Sequence, residues 1–418
     1  MVARADEPLT LDAALHLAFT RNERALKAPL RVEAAEGSLD RARTAFLPTL
    51  VGQGVAAWSS IPDRGGRDFS GNGSLTLNQP LIAPSAFPLY DQAKHNLRSE
   101  RWGAVEDLRV LGFDTTSAFI TALSTEQLLI AAQRRLDRAK GDRDDASARA
   151  GAGLASSNDL TRASVAVSTA ESQVVAAKGN VQRAYLQLGF LVGQPVQGPL
   201  SSPDRTTQGA KQGQWNFDDV VKRAEARRPD VLAAAEHTEA LRDFAKEPLY
   251  RLAPTLGISA QIRQIIDPLP TDKATSESAQ LTLTWTIYDA GVRYADRRTR
   301  LAQHESGSLD ERQLRRSVAT DISIALVQLR TAREAFRVAE EAVANAQRGL
   351  DETSILYKQG LAKAIELTDA NASRYDAEVS RESARLSMEQ AYLNLRYALG
   401  LGPVEDALPN PENPGGSK

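Results

Sequence analysis

No cysteine occurs among the 418 residues, which excludes disulfides, thiol chemistry and thiolate metal sites. Histidine is scarce: His16, His95, His237 and His304 lie far apart, and none has a second histidine at metal-ligand spacing. No metal site, cofactor or catalytic residue is therefore expected, and the chain does not read as an enzyme. An excess of charge of one sign is also lacking. Lys and Arg number 51 against 53 Asp and Glu, so nothing points to nucleic acid as a partner. No apolar run is long enough for a transmembrane helix, and residues 1–7 lack the apolar segment of a signal peptide.

What the chain does contain is a duplication. Tyr357-Lys358-Gln359-Gly360-Leu361-Ala362, followed by Glu366, Leu367 and Asp369, interrupts a long helical pattern. Arg149-Ala150-Gly151-Ala152-Gly153-Leu154-Ala155, followed by Asp159 and Leu160, does the same 207 positions earlier. Gly153 and Gly360 stand where one helix must stop and the chain reverse, a place that favours the left-handed backbone glycine tolerates. Each repeat thus has a helical hairpin tip. Gly151-Ala152-Gly153 lies between helices rather than after a strand, so it is a turn and not a phosphate loop.

Earlier in each repeat the order also matches. Helices starting near Leu9-Thr10-Leu11-Asp12 and Trp215-Asn216-Phe217-Asp218 lead to Pro48-Thr49-Leu50 and Pro254-Thr255-Leu256, at an offset of 206. Thr10 or Asp12 is the expected cap of the first helix. After each proline the period changes to two. Leu256, Ile258, Ala260 and Ile262 alternate with Gly257, Ser259, Gln261 and Arg263, and Leu281, Leu283, Trp285 and Ile287 alternate with Thr282, Thr284, Thr286 and Tyr288. The first repeat is expected to hold strands over 50–60 and 74–82. One face is apolar and the other rich in Thr, Ser and Gln, and the length suits a tilted membrane-crossing strand. Trp58 and Trp285 fall in these strands, where a membrane-interface position and ordinary packing are both open. Four strands cannot close a barrel around a lumen, and an open edge cannot survive in lipid. A membrane role thus requires several chains; three would give twelve strands.

From about Lys94, and again in the second repeat, a heptad pattern runs toward the tips. Ala325, Leu329, Ala332, Phe336, Ala339, Val343, Ala346, Leu350 and Tyr357 form one seam; Ala118, Ala122, Leu129, Ala132, Leu136, Ala139, Ala146 and Ala150 form the other. The stretch 93–150 alone would make a helix of about 87 Å. The expected division is a first repeat over 9–200 (hairpin about 50–82), a linker over 201–214, a second repeat over 215–402 (hairpin about 256–288), and a disordered tail over 403–418.

This ordered pair of helix, Pro-Thr-Leu, hairpin, long helix, Gly-Leu tip, long helix and Leu-Gly end resembles the TolC-like outer-membrane factor family across about 9–402. The fold class it implies is mainly α with a small β part: long coiled-coil helices plus four strands per chain that contribute to a trimeric twelve-stranded barrel. The resemblance implies an outer-membrane channel reaching into the periplasm, the exit duct of a tripartite efflux pump or type I secretion system. It implies that a signal peptide was removed and that residues 61–73 and 266–278 form extracellular loops. Many relatives carry an acylated N-terminal cysteine, which this sequence lacks. The partners implied are two further copies, outer-membrane lipid, a periplasmic adaptor (membrane fusion) protein and an inner-membrane pump.

For the sites, the resemblance assigns Ala152, Gly153 and Leu154 with Gln359, Gly360 and Leu361 to the adaptor-facing tips. It assigns Glu366 and Asp369 to the inner face of a periplasmic aperture, as two rings of carboxylates in a trimer. Taken without the resemblance, that pair is an ordinary solvated helix face. The basic residue that holds the family's aperture shut aligns with Ala362; Lys363 or Arg162, with Asp159 as partner, is the substitute in this sequence. The alternative function is a soluble periplasmic coiled-coil scaffold or adaptor binding through its tips. The four alternating segments discriminate between the two, since a scaffold has no use for them.

Overall fold

The proline that ends each second helix also sets where the strands begin. In the computed structural model, which describes residues 8–61, 68–153, 156–212, 217–266, 268, 273–406, 408 and 410–412, Pro48 and Pro254 are followed directly by strands. The order of elements is α1 (Leu11–Arg21), α2 (Glu23–Thr44), β1 (Thr49–Trp58), β2 (Phe69–Ile82), α3 (Ala86–Gly151), α4 (Ser157–Val192) and α5 (Asp204–Gln212). Then come α6 (Phe217–Arg227), α7 (Pro229–Tyr250), β3 (Thr255–Ile266), β4 (Thr275–Thr284), α8 (Val292–Lys358) and α9 (Ala364–Ala398). The chain divides into two units that cut across the repeats: residues 1–29, 104–229 and 315–418 in one, 30–103 and 230–314 in the other.

The second of these units holds a four-stranded antiparallel sheet in the order β1-β2-β3-β4. Leu77 of β2 lies between Leu50 of β1 and Ala260 of β3, and Leu75 lies between Gly52 and Ile262. These positions build the apolar face. On the other face Gln261 donates to the Thr76 hydroxyl at 3.2 Å. Leu281 and Leu283 are 63% and 64% exposed, so the apolar face has no cover there among the described residues. The helices of this unit are pinned to one another by polar contacts. Arg101 pairs with Glu36 at 3.0 Å, joining α3 to α2, and Arg300 bonds the Phe244 carbonyl and the Glu247 carboxylate, joining α8 to α7.

The strands differ from expectation in extent. β2 begins at Phe69, so residues 69–73, expected in a loop, are strand, as are Ile266 and residues 275–278. Phe69-Ser70-Gly71-Asn72-Gly73 has little strand propensity, but Gly71 and Gly73 are paired on both sides, to Ala56 and Gly54 and to Ile266 and Gln264. Pairing outweighs propensity there. Conversely, β4 ends at Thr284, opposite Thr255, the first residue β3 offers. Trp285 and Ile287 therefore lie beyond the strand; the Trp285 indole donates to the Leu252 carbonyl at 2.9 Å.

The first unit is a helical bundle. Leu11 and Leu15 of α1 pack with Phe119 and Leu123 of α3 and with Leu188 and Val192 of α4. Thr10 caps α1, its hydroxyl accepting from the Ala13 amide at 3.2 Å. Gly193 and Gly400 end α4 and follow α9 with φ of 70° each. A Cβ on them would meet the backbone or side chain of Arg21 and Arg228, which are themselves 207 positions apart. The expected heptad seams are covered: Leu329, Phe336, Leu350 and Tyr357 are buried on α8, and Ala122, Ala132 and Ala146 on α3. Two features differ from expectation. Residues 204–212 of the linker form α5, which packs on α9, with the Thr207 hydroxyl donating to Glu389 at 2.7 Å. The start of the tail is also held, since Arg396 donates to the Gly402 and Val404 carbonyls and pairs with Asp406 at 2.8 Å.

Candidate functional site: the hairpin tips

Both tips turn on a glycine with positive φ, 73° at Gly153 and 78° at Gly360, values that an L side chain reaches only with strain. Ala152, Gly153, Gln359, Gly360 and Leu361 are exposed, Leu361 by 73%. Leu154 lies outside the described residues. At the second tip the chain closes as a helix-ending turn: the Leu361 amide donates to the Leu356 carbonyl at 2.9 Å and the Gly360 amide to the Tyr357 carbonyl at 3.1 Å. Beneath it Leu350, Tyr357 and Leu367 form a small apolar cluster with Ala362, Ala364 and Ala370.

The two helices leaving the tips start differently. At α4, Ser156 and Asp159 form a capping box: the Ser156 hydroxyl accepts from the Asp159 amide, and the Asp159 carboxylate accepts from the Ser156 amide, each at 3.2 Å. Asp159 is thereby engaged within its own turn; among the described residues neither Arg162 nor Lys363 is ion-paired with it. Lys363 stands at the N-cap of α9 with no side-chain cap bond, and Glu366 lies in the first turn, where a carboxylate favours the helix dipole. Glu366, Asp369, Arg162 and Lys363 are all exposed. Three residues apart on one helix, Glu366 and Asp369 share a face.

Contacts missed from sequence tie the tips together. Arg149, near the end of α3, donates to the Tyr357 carbonyl at 3.2 Å and lies 4.4 Å from the Tyr357 ring centroid. Asp142 of α3 accepts from the Asn371 amide of α9 at 2.7 Å. Burial pushes the Asp142 carboxyl up to about 6; Asp145 adds to the rise and Arg138 opposes it. Arg135 sits 4.7 Å from the Tyr375 ring centroid. Burial raises the Tyr375 phenol, against the lowering effect of Arg135. The repeat gives no signal for these ties: 207 positions on, Asp142 corresponds to Gly349 and Arg149 to Leu356. These are places where the two halves stop matching.

Long paired helices, glycine-turned tips and a sheet with an uncovered apolar face define a membrane-channel class of protein rather than an enzyme. The chain belongs to the outer membrane efflux protein family, whose model matches it twice, over residues 14–194 and 220–401. It is an outer-membrane efflux channel that extends into the periplasm, and members of the family transport rather than catalyse. Solved structures agree on the fold. The outer membrane protein VceC of Vibrio cholerae is similar at 16% identity and a TM-score of 0.79, covering 94% of this chain and 96% of that one. A membrane protein of Pseudomonas aeruginosa matches at 19% identity and 0.79, covering 94% and 90%. The MtrE outer membrane channel of Neisseria gonorrhoeae matches at 18% and 0.78, covering 95% and 90%. No curated protein matches in sequence.

Proposed function

We propose that three copies of the chain pool their sheets into one twelve-stranded barrel, and that the tips form a narrow periplasmic end where an adaptor protein docks and an inner-membrane pump supplies the energy. The observation that carries this reading is the sheet. Among the described residues its two outer strands, β1 and β4, each have one unpaired side, and the apolar side chains Leu50, Leu77, Leu281 and Leu283 are exposed. In lipid, unpaired backbone groups cost several kcal/mol each, about 4 to 8 for an amide-like group in a medium that cannot bond it. Only closure with other copies removes that cost.

At the tips, Glu366 and Asp369 become two rings of three carboxylates that favour cations in the opening. Gly153 and Gly360, with the exposed Ala152, Gln359 and Leu361, supply the surface that fits an adaptor; Leu154, assigned to the same tip, lies outside the described residues. Asp159, held in its capping box, places a third carboxylate near the start of α4, and Arg162 and Lys363 are exposed cations available to a neighbouring copy. MtrE has been described in an open state, and opening here means parting the tips across Arg149–Tyr357 and Asp142–Asn371. The test is single-channel recording in planar bilayers. Glu366→Gln with Asp369→Asn should lower cation preference and change conductance; an unchanged current with unchanged ion selectivity removes both residues from the aperture.

A further inference from the structure

The sheet carries very little charge. Over the whole of β1, β2, β3 and β4, two side chains carry a formal charge, Arg263 and Glu277. The register puts them on opposite faces. Ile262 is paired with Leu75 on one side and with Glu277 on the other, so Glu277 belongs to the apolar face. Arg263 stands one position along, paired with Ser74 and Ser276. Successive residues of a strand point to opposite sides, so Arg263 shares the polar face with Gln261 and Thr76.

Around Arg263 that face is neutral. Its neighbours are hydroxyls and amides: Asn72 and Thr76 to either side of Ser74, and Ser278 beyond Ser276. Arg263 is exposed, and among the described residues no carboxylate is ion-paired with it. The arginines of the helices next to the sheet behave differently, since Arg251, Arg293 and Arg300 are each paired with an acid. Arg263 also lies far from those helices. β3 begins at Thr255, next to α7, and Arg263 stands about 26 Å along it at the usual rise, close to the end at Ile266. Its place is therefore toward the extracellular mouth. The counterpart 206 positions earlier is Ala57, so each chain supplies one guanidinium at this level.

We propose that Arg263 sets the charge preference of the barrel: three copies form a ring of guanidinium groups near its outer mouth, and the ring draws anionic cargo bearing carboxylate or phosphate groups toward the exit. This rests on the multi-chain reading above and deepens it. Twelve strands about 4.8 Å apart and tilted by about 40° enclose a wall of about 12 Å radius. An arginine side chain reaches about 6 Å inward from that wall. A solute on the axis thus passes about 6 Å from each cation, inside the Debye length of about 8 Å at physiological salt. Salt does not screen the attraction away, and no acid of the same face offsets it. Rings of arginine select anions in pores on this principle. The preference is opposite in sign to that of Glu366 and Asp369 at the tips, so a zwitterionic solute suits both ends of the duct.

The test is single-channel current in planar bilayers, with tripolyphosphate added on the side of the barrel mouth. Arg263→Gln removes the charge, Arg263→Lys keeps it, and Glu277→Gln removes the charge of the other face. The native mass of each protein in mild detergent is measured alongside. Tripolyphosphate is expected to block the wild-type current. The half-blocking concentration should rise about tenfold or more in Arg263→Gln, because each charge of the anion is attracted by three cations at once. It should change little in Arg263→Lys and in Glu277→Gln. Equal block of the wild type and Arg263→Gln, or block of neither, at a native mass of three chains overturns the ring and leaves the shared barrel standing. So does a lysine variant as insensitive as the glutamine one, or an equal loss in Glu277→Gln. A wild-type native mass of one chain overturns both the ring and the shared barrel.

Discussion

The return helices of the two hairpins, α4 and α9, occupy equivalent places in the repeat yet fill their buried faces with different chemistry. On α4 the buried residues are Ala163, Val167, Ala170, Val174, Ala177, Val181, Ala184, Leu188 and Val192, spaced alternately by four and three along most of the helix. That is a coiled-coil stripe of small and branched side chains. On α9, Glu378, Glu382 and Glu389 are buried, and each is paired: Arg374 with Glu378 at 2.8 Å, Arg381 with Glu382 at 2.6 Å, and Arg385 with Glu389 at 3.1 Å. Val167 and Val174 of α4 correspond to Arg374 and Arg381 of α9. The capping differs in the same sense. α4 starts with a satisfied capping box, whereas α9 starts on Lys363 without a side-chain cap and carries its acids outward. One return helix packs through apolar side chains, and the other packs partly through buried ion pairs and leaves Glu366 and Asp369 exposed near its start.

The sharpest way to break this contrast is to remove a charge from the α9 ladder. Glu389→Ala removes the acceptor of the Thr207 hydroxyl and the nearer carboxylate of Arg385, which keeps only Glu382 at 4.0 Å, and should cost about 3 kcal/mol, the scale for breaking a buried pair. The unfolding midpoint of the purified protein in denaturant measures it. Next comes the apolar side: Val174→Ala on α4 removes two buried methyls and should cost about 2 kcal/mol by the same measurement. If the α4 change proved the costlier, the ladder would be a surface feature instead of an interior one. Third is the cap. Ser156→Ala should weaken the first turn of α4 by about 1 kcal/mol, seen as faster amide exchange near Asp159, with α9 unaffected.

The fourth effect is pH-dependent. The Asp142 carboxyl titrates near 6 in the folded chain against 3.8 unfolded. Between those values the folded state binds the extra proton, so the contribution is fully present below about 3.8 and is lost as pH rises through 6. The α3–α9 contact at Asn371 should be firmer at pH 5 than at pH 7, read by amide exchange in the two helices near the tips. Asp142→Asn should flatten that difference.

Much of this was legible in the sequence because a duplication repeats its punctuation. Pro48 and Pro254, Gly153 and Gly360, and Gly193 and Gly400 mark the same boundaries twice, and the heptad seams of α3 and α8 read directly as buried faces. What was not legible has physical causes. The first residues of β2 are Gly-, Ser- and Asn-rich, and are strand only because both neighbours pair with them. α5 has a linker's composition and is held by its packing on α9. The glutamates of α9 read as solvated helix positions, since a charge pattern does not show that arginines one turn away let the carboxylates be buried. At the tips the Gly-Leu turns could be found by alignment of the repeats, whereas Glu366 and Asp369 were assigned through the family resemblance alone, their counterparts 207 positions earlier being Asp159 and Arg162. The ties Arg149–Tyr357 and Asp142–Asn371 could not be found by alignment, because each joins helices of different repeats.

The proposed barrel requires that a single chain supply only part of it. Light scattering of the protein extracted from outer membranes in mild detergent, with bound detergent subtracted, measures it most directly. The expected protein mass is near three times 45.3 kDa. A folded, exported monomer in the soluble fraction, with its apolar sheet face left in water, would contradict it.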